Sequence, residues 1–163
     1  MKRLVINKVL IPVDFTDCSR RAFYVALELA AKFGAKCTVM HVIEPITALD
    51  LSAKKYKQVY KDVTRMEEGV QKRVEEFVAE EDYEIDPASI GIEISVGKPF
   101  QEILKKAREL GVDLVIMGSH GKLAGDEVMM GSTAERVVRR APCPVLVIKP
   151  QDFRFEIPNG LKK

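Results

Sequence analysis

Between Met117 and Val137 the chain reads MGSHGKLAGDEVMMGSTAERV, in which Gly118, Gly121, Gly131 and Ser132 are spaced as G-x2-G-x9-G-S. Residues of these types at this spacing suit an anion. Glycine lacks Cβ, so its backbone can enter positive φ and approach a ligand closely, leaving successive N–H groups free to point at a negative charge. Gly131 and Ser132 stand where a helix would open, and Ser132, Thr133, Ala134 and Glu135 match a capping box. A helix N-terminus presents unpaired N–H donors and a partial positive charge. It favours a single exposed anion by roughly 0.3–1 kcal/mol. A phosphate bridging the glycine loop and the helix end would draw on both. Each feature also has a plainer use: Gly118 and Gly121 as a tight exit from a strand, Ser132 and Glu135 as a cap and nothing more.

Asp14, in IPVDFTD, is the second candidate. An Asp after a strand can simply cap the next helix, but Thr16 and Asp17 lie closer to that helix and can do so instead. Asp14 is then left to accept a hydrogen bond from a ligand hydroxyl or amine.

The elements that must position these residues follow from periodicity. Short runs rich in Val and Ile alternate with helical patterns, the sign of parallel βαβ units. The expected strands are Lys8 to Val13, Cys37 to Ile43, Ile90 to Val96, Asp113 to Met117 and Pro144 to Ile148. A first helix carries Ala22, Ala26, Leu29, Ala30 and Phe33 and is closed by Gly34. Val59, Val63, Met66, Val70, Val74 and Phe77 give a stripe from Leu51 to Asp82, either one long amphipathic helix or two broken at Gly69. That stripe is either core packing or a partner surface. Pro99 opens a third helix that Gly111 stops, and a fourth begins near Ser132. The fold class is therefore α/β: a single open five-stranded parallel sheet, order 3-2-1-4-5, with helices on both faces in the Rossmann-like manner. In such a sheet the winding reverses between strands one and four, and ligands bind outside the carboxyl ends of the strands there. Asp14 and the glycine stretch follow those two strands.

The whole chain sets limits. At 163 residues, 47% apolar and 31% charged, it fits one globular domain, expected over 1–150 with a tail over 151–163. A net charge of +2 is far from the basic excess of a nucleic-acid binder. Asn7, Lys8 and Asp14 break the first apolar runs before a signal-peptide core or membrane span forms, so a cytoplasmic location away from membranes is expected. Cys18, Cys37 and Cys143 are odd in number and lack CxxC spacing, and read as reduced, mostly buried thiols. No internal repeat or low-complexity tract is present.

The run MGSHGK...MGSTAERVVRRAPCPVLVIKP, with KVLIPVDFTDCS and SVGKPFQEIL, resembles the universal stress protein family, specifically its ATP-binding branch, over about Lys8 to Pro150. The resemblance implies a homodimer with ATP held between the ends of strands one and four. By position it places Asp14 and the backbone of Val42 at the adenosine end, with Pro12, Met117 and Gly118 nearby. Gly121, Gly131, Ser132 and Thr133 would surround the phosphates. Mg²⁺ would enter on the ATP phosphates, without a protein ligand that can be named.

Other motifs are missing. There is no G-x-G-x-x-G; Ile116 stands where a Walker loop ending at Gly121 would start, and Ser119 has no G-x-S-x-G elbow. His120 reads as a solvated loop residue that only His41 could join, and the two make no metal constellation. Lys122 is the loop's one cation, with no base or arginine finger evident, so slow or no hydrolysis is expected. The alternative is a nucleotide-independent dimeric interaction module with an unknown protein partner. DFRFEIP (Asp152 to Pro158) alternates like a strand beyond strand five and is expected to contact a second subunit at that sheet edge.

Overall fold

The computed structural model describes residues 5–44, 68–79, 89–120 and 130–150. The tail over 151–163, most of the Leu51 to Asp82 stripe, Gly121 and Lys122 lie outside the described residues. The elements are β1 (Lys8–Pro12), α1 (Asp17–Phe33), β2 (Lys36–Ile43), helical residues 68–79 (α2), β3 (Gly91–Val96), α3 (Pro99–Leu110), β4 (Leu114–Gly118), α4 (Ser132–Arg140) and β5 (Val145–Ile148). All strand pairings are parallel, in the order β3-β2-β1-β4-β5. This is the expected Rossmann-like arrangement.

Strand alternation decides the two cores. Val9, Ile11 and Val13 point to one face, where Phe23, Ala26 and Leu27 of α1 meet Val74, Phe77 and Val78 of α2. Leu10 points to the other, with Met40, Val115 and Met117, against Ile103 and Ala107 of α3 and Ala134 and Val137 of α4. Period-two alternation with apolar residues on both sides is what a parallel sheet covered by helices requires. Val70, Val74 and Phe77 are therefore core packing within the described part of α2, and Gly69 lies inside that helix.

Helix ends follow their stop signals. Gly34 and Gly111 take left-handed φ of 65° and 59°, and their N–H groups bond back to Ala30 and to Ala107 and Arg108. Pro99 occupies the first turn of α3, where its missing N–H costs nothing. At the amino ends of the strands, Asp113 accepts the N–H groups of Asn7 and Lys8 at 2.8 and 3.0 Å, which pins the entry of β1 to the entry of β4. No sequence motif announces that clasp.

Cys37 lies in the first core, 4% exposed, and burial pushes its thiol up from 9.0 to about 11. The folded state thus keeps a proton that the unfolded chain releases near pH 9. Stability from this group is intact below that pH and falls as pH rises toward 11, by up to about 1.4 kcal/mol per pH unit. Chemical denaturation at pH 8 and pH 10 should show a loss that Cys37→Ala reduces; equal losses in both proteins would exclude this thiol as the cause.

Candidate functional site

The carboxyl ends of β1 and β4 lie side by side at the reversal of winding, since Leu10 pairs with Val115. Helix α1 departs from β1 to one face, whereas α4 returns to the other. In open α/β sheets the loops that leave such a pair of strands part and open a crevice above the strand ends.

On the β1 side, Asp14 stands half-buried just past the strand. Its Oδ1 accepts from the Thr16 N–H at 3.1 Å and the Thr16 hydroxyl at 2.6 Å. Thr16 is also the N-cap of α1, accepting from the Ser19 N–H at 3.2 Å. Of the two candidates, Thr16 and Asp17, Thr16 is the cap, but Asp14 is not wholly released by it. One carboxylate oxygen braces the cap; Oδ2 has no hydrogen-bond partner among the described residues. Pro12 and Val13 are buried behind it.

Phe15, the residue between, has φ of 65°. Left-handed backbone costs a bulky side chain on the order of 1–2 kcal/mol. Its ring is held 4.6 Å from His41 and 5.9 Å from Phe77, with the Arg73 guanidinium 4.3 Å from its centroid. Neither its residue type nor its neighbours in sequence signal such a conformation.

On β2, the Met40 carbonyl accepts from the Val13 N–H at 2.8 Å, the last rung between the two strands. In a parallel ladder residues two apart turn their backbone groups to the same side. The N–H and C=O of Val42 therefore face the edge that β1 has vacated. β2 runs through Ile43, so the strand end expected from pattern is where the structure has it.

The β4 side differs from expectation in two respects. Gly118 does not adopt positive φ; a Cβ there would sit 3.0, 3.1 and 3.2 Å from Cys18 Sγ, C and O. The first turn of α1 packs directly on the end of β4, and that contact uses the space a side chain would need. Met117 is buried in the second core. Ser119, 1% exposed, donates its N–H to the Ile148 carbonyl at 2.8 Å, and its Oγ lies 2.7 Å from His120 Nδ1. His120 is thus tied to a buried hydroxyl, and His41 to Val13 and Phe15; the two histidines serve different loops.

The capping box is the second difference. The N-cap of α4 is Gly131, at φ −66° and ψ 151°, with no side-chain cap, and Glu135 pairs instead with Arg139 at 3.1 Å. The cause is a hydrogen bond. Gly131 N–H donates to the Ser119 carbonyl at 2.7 Å, which fixes Gly131 as the residue whose carbonyl receives the first helical bond, from Glu135 at 3.0 Å. Helix α4 starts one position earlier than the motif suggests. The same bond draws both halves of the glycine motif together, with Ser132 exposed and Thr133 half-buried at the helix opening. N–H groups of a first helical turn have no intrahelical acceptor.

Pro12, Asp14, Val42, Met117, Gly118, Gly131, Ser132 and Thr133 thus gather at one end of the sheet, on the last residues of β1, β2 and β4 and the opening of α4. A wide surface hollow of about 810 Å³ lies elsewhere, beside α2 and β3, lined by Glu68, Gln71, Lys72, Glu75 and Ile94. It is open and charged and holds none of these groups. No group of three His, Cys, Asp or Glu that could hold a metal occurs among the described residues. No described helix is long and apolar enough to cross a membrane.

Sheet order defines a doubly wound α/β protein whose winding reverses between β1 and β4. Comparison with known proteins narrows that class: the family model described as Universal stress protein family matches residues 6–149, and the chain belongs to that family. A universal stress protein of Methanocaldococcus jannaschii, MJ0531, is 32% identical over 145 residues, 88% of this chain and 82% of its own. The solved structure of hypothetical protein MJ0577, from the same organism, superposes with a TM-score of 0.73 at 27% identity, over 91% of this chain and 99% of that one. A universal stress protein from Archaeoglobus fulgidus, solved in complex with dAMP, shares the fold with a TM-score of 0.53 at 19% identity, covering 90% of this chain and 100% of its own.

Adding a methyl at Gly118 tests the packing account. Two of its three closest contacts are helix backbone atoms, which cannot swing aside. Gly118→Ala should cost about 1–3 kcal/mol and lower the melting midpoint by roughly 2–12 °C. Cys18→Ala in the same protein would remove the sulfur contact alone and restore only part of the loss. Full restoration would mean that the helix backbone does not constrain this position.

Proposed function

We propose that this universal stress protein binds ATP in the crevice between the ends of β1 and β4 and acts in the cytoplasm as a nucleotide-dependent dimeric switch or sensor. The observation that carries the reading is the 2.7 Å bond from Gly131 to Ser119. It sets a helix opening without a side-chain cap against a glycine strand end, so that N–H donors of Ser132 and Thr133 are offered to phosphates at the mouth of the crevice. At the other end, Asp14 Oδ2 accepts from an adenosine hydroxyl or amine, and the Val42 backbone provides a donor and an acceptor for the base. Pro12, Met117 and Gly118 form the floor. The dAMP complex of the Archaeoglobus fulgidus protein supports the reading only so far as a protein of this fold binds an adenine nucleotide.

Gly121 completes the phosphate side of the proposal, with Mg²⁺ carried on the phosphates. Hydrolysis is slow or nil, because phosphoryl transfer needs a placed base and cations clamping the transferred group, and the chain supplies no evident pair of these. β5 is an edge strand whose Val145–Ile148 are all half-exposed, and we propose that a second copy packs along it, joined by the tail.

Thermal melts of nucleotide-stripped protein with Mg²⁺ and ATP, ADP, AMP or GTP test the reading, with Gly131→Val as control. Ligand at 100 times its Kd stabilises by about 2.7 kcal/mol. The midpoint should then rise by roughly 5–10 °C with ATP, and the variant should lose that rise. No rise with any nucleotide would leave the motif as turn chemistry and favour an interaction module that works without nucleotide. In a steady-state assay, turnover should stay well below ~1 s⁻¹, the low end for dedicated kinases.

A further inference from the structure

We infer that Phe15 and His41 are positioning residues of the crevice, a clamped left-handed turn that fixes the Asp14 carboxylate for its ligand. The inference rests on the nucleotide-binding reading and goes beyond it. Phe15 is the one non-glycine residue at positive φ among those described. A bulky residue persists there only where its surroundings hold it. It is the middle residue of a turn closed by Asp14 Oδ1, which accepts from both the N–H and the hydroxyl of Thr16. Turning Phe15 out of the left-handed region would open that turn and rotate the carboxylate.

What holds Phe15 comes from two other elements. From α2, Arg73 covers the ring at 4.3 Å and Phe77 meets it edge-on at 5.9 Å. From β2, the His41 ring packs 4.6 Å away at a tilt of 36°. The same imidazole donates from Nδ1 to the Val13 carbonyl at 2.7 Å, and a carbonyl can only accept, so this nitrogen carries the proton. One buried side chain thus grips the chain on both sides of Asp14, by the carbonyl before it and by the ring after it. His41 also immediately precedes Val42. The group that fixes the carboxylate is therefore tied to the strand whose backbone would meet the base, and the two halves of the adenosine end share one support.

Packing alone would account for a buried ring, so the test must read coupling to Asp14. Calorimetric titration of the full chain with Mg²⁺ and ATP is compared for the natural protein, His41→Phe, Asp14→Asn and the double variant, each melted as well. His41→Phe keeps a ring but loses the donor and should weaken ATP roughly tenfold, the size expected for loss of a well-oriented hydrogen bond. In the double variant the loss should be no greater than with Asp14→Asn alone, because a displaced carboxylate has little left to lose. His41→Asn restores a donor near Nδ1 and should recover part of the affinity. Losses that multiply in the double variant, or a His41→Phe protein that binds ATP as the natural one does, would overturn the inference and leave the nucleotide site standing. A natural protein that binds no ATP would overturn both. If His41→Phe does not fold, Phe15→Gly takes its place in the cycle, with the ring lost and the backbone strain removed, and the same two patterns decide.

Discussion

The fold is organised by the burial of β1 on both faces and along both edges. Val9, Leu10 and Ile11 are at most 1% exposed, and a strand so enclosed must satisfy its backbone through neighbours on either side. β2 supplies one ladder and β4 the other, and helices cover both faces. The chain can add strands outward from β1 in only two directions, and it uses both. The point at which it changes direction is the point at which two helices must leave on opposite faces. The crevice at the carboxyl ends is thus a consequence of how the centre of the sheet is closed, before any residue in it is chosen for chemistry.

Several residues at that crevice serve the frame first. Gly118 has no Cβ because Cys18 and its helix turn occupy the place, and Gly131 is held by Ser119 as the opening of α4. The conformational freedom of glycine is spent at Gly34, Gly97 and Gly111, away from the motif, whereas the left-handed residue nearest the crevice is Phe15. The described glycines of the motif are therefore explained by closeness of approach, helix against strand, and not by unusual dihedrals. The same closeness leaves an uncapped helix end beside a strand end. Packing alone shapes both described ends of the motif, which is why each glycine taken singly also reads as turn chemistry.

Charge is distributed along the crevice in a way that suits a ligand with two unlike ends. The Asp14 carboxylate stands past β1, with Arg73 over Phe15 and Arg20 over Phe77 behind its turn, while the helix N-terminus past β4 is positive. A negative group is favoured at the second place and a hydrogen-bond donor at the first. A nucleotide has its hydroxyls and amine at one end and its phosphates at the other, in that order.

The strands, the helices with their glycine and proline stops and the sheet order are legible in the residues alone. These depend on period, on local dihedral preference and on the handedness of crossovers, all written in residues close together along the chain. They also mark Thr16 and Asp17 as candidate caps of α1 and the stripe of Val70, Val74 and Phe77 as a candidate for core packing. Features that depend on residues far apart in the chain are settled by folding itself. That Gly118 is shaped by Cys18, that Ser119 makes Gly131 the N-cap of α4, that Asp113 clasps β1 and that His41 holds both neighbours of Asp14 are contacts between segments brought together by the sheet. No local pattern encodes them, because each partner alone is an ordinary residue with an ordinary preference, and the interaction exists only once β1 has drawn its neighbours into register.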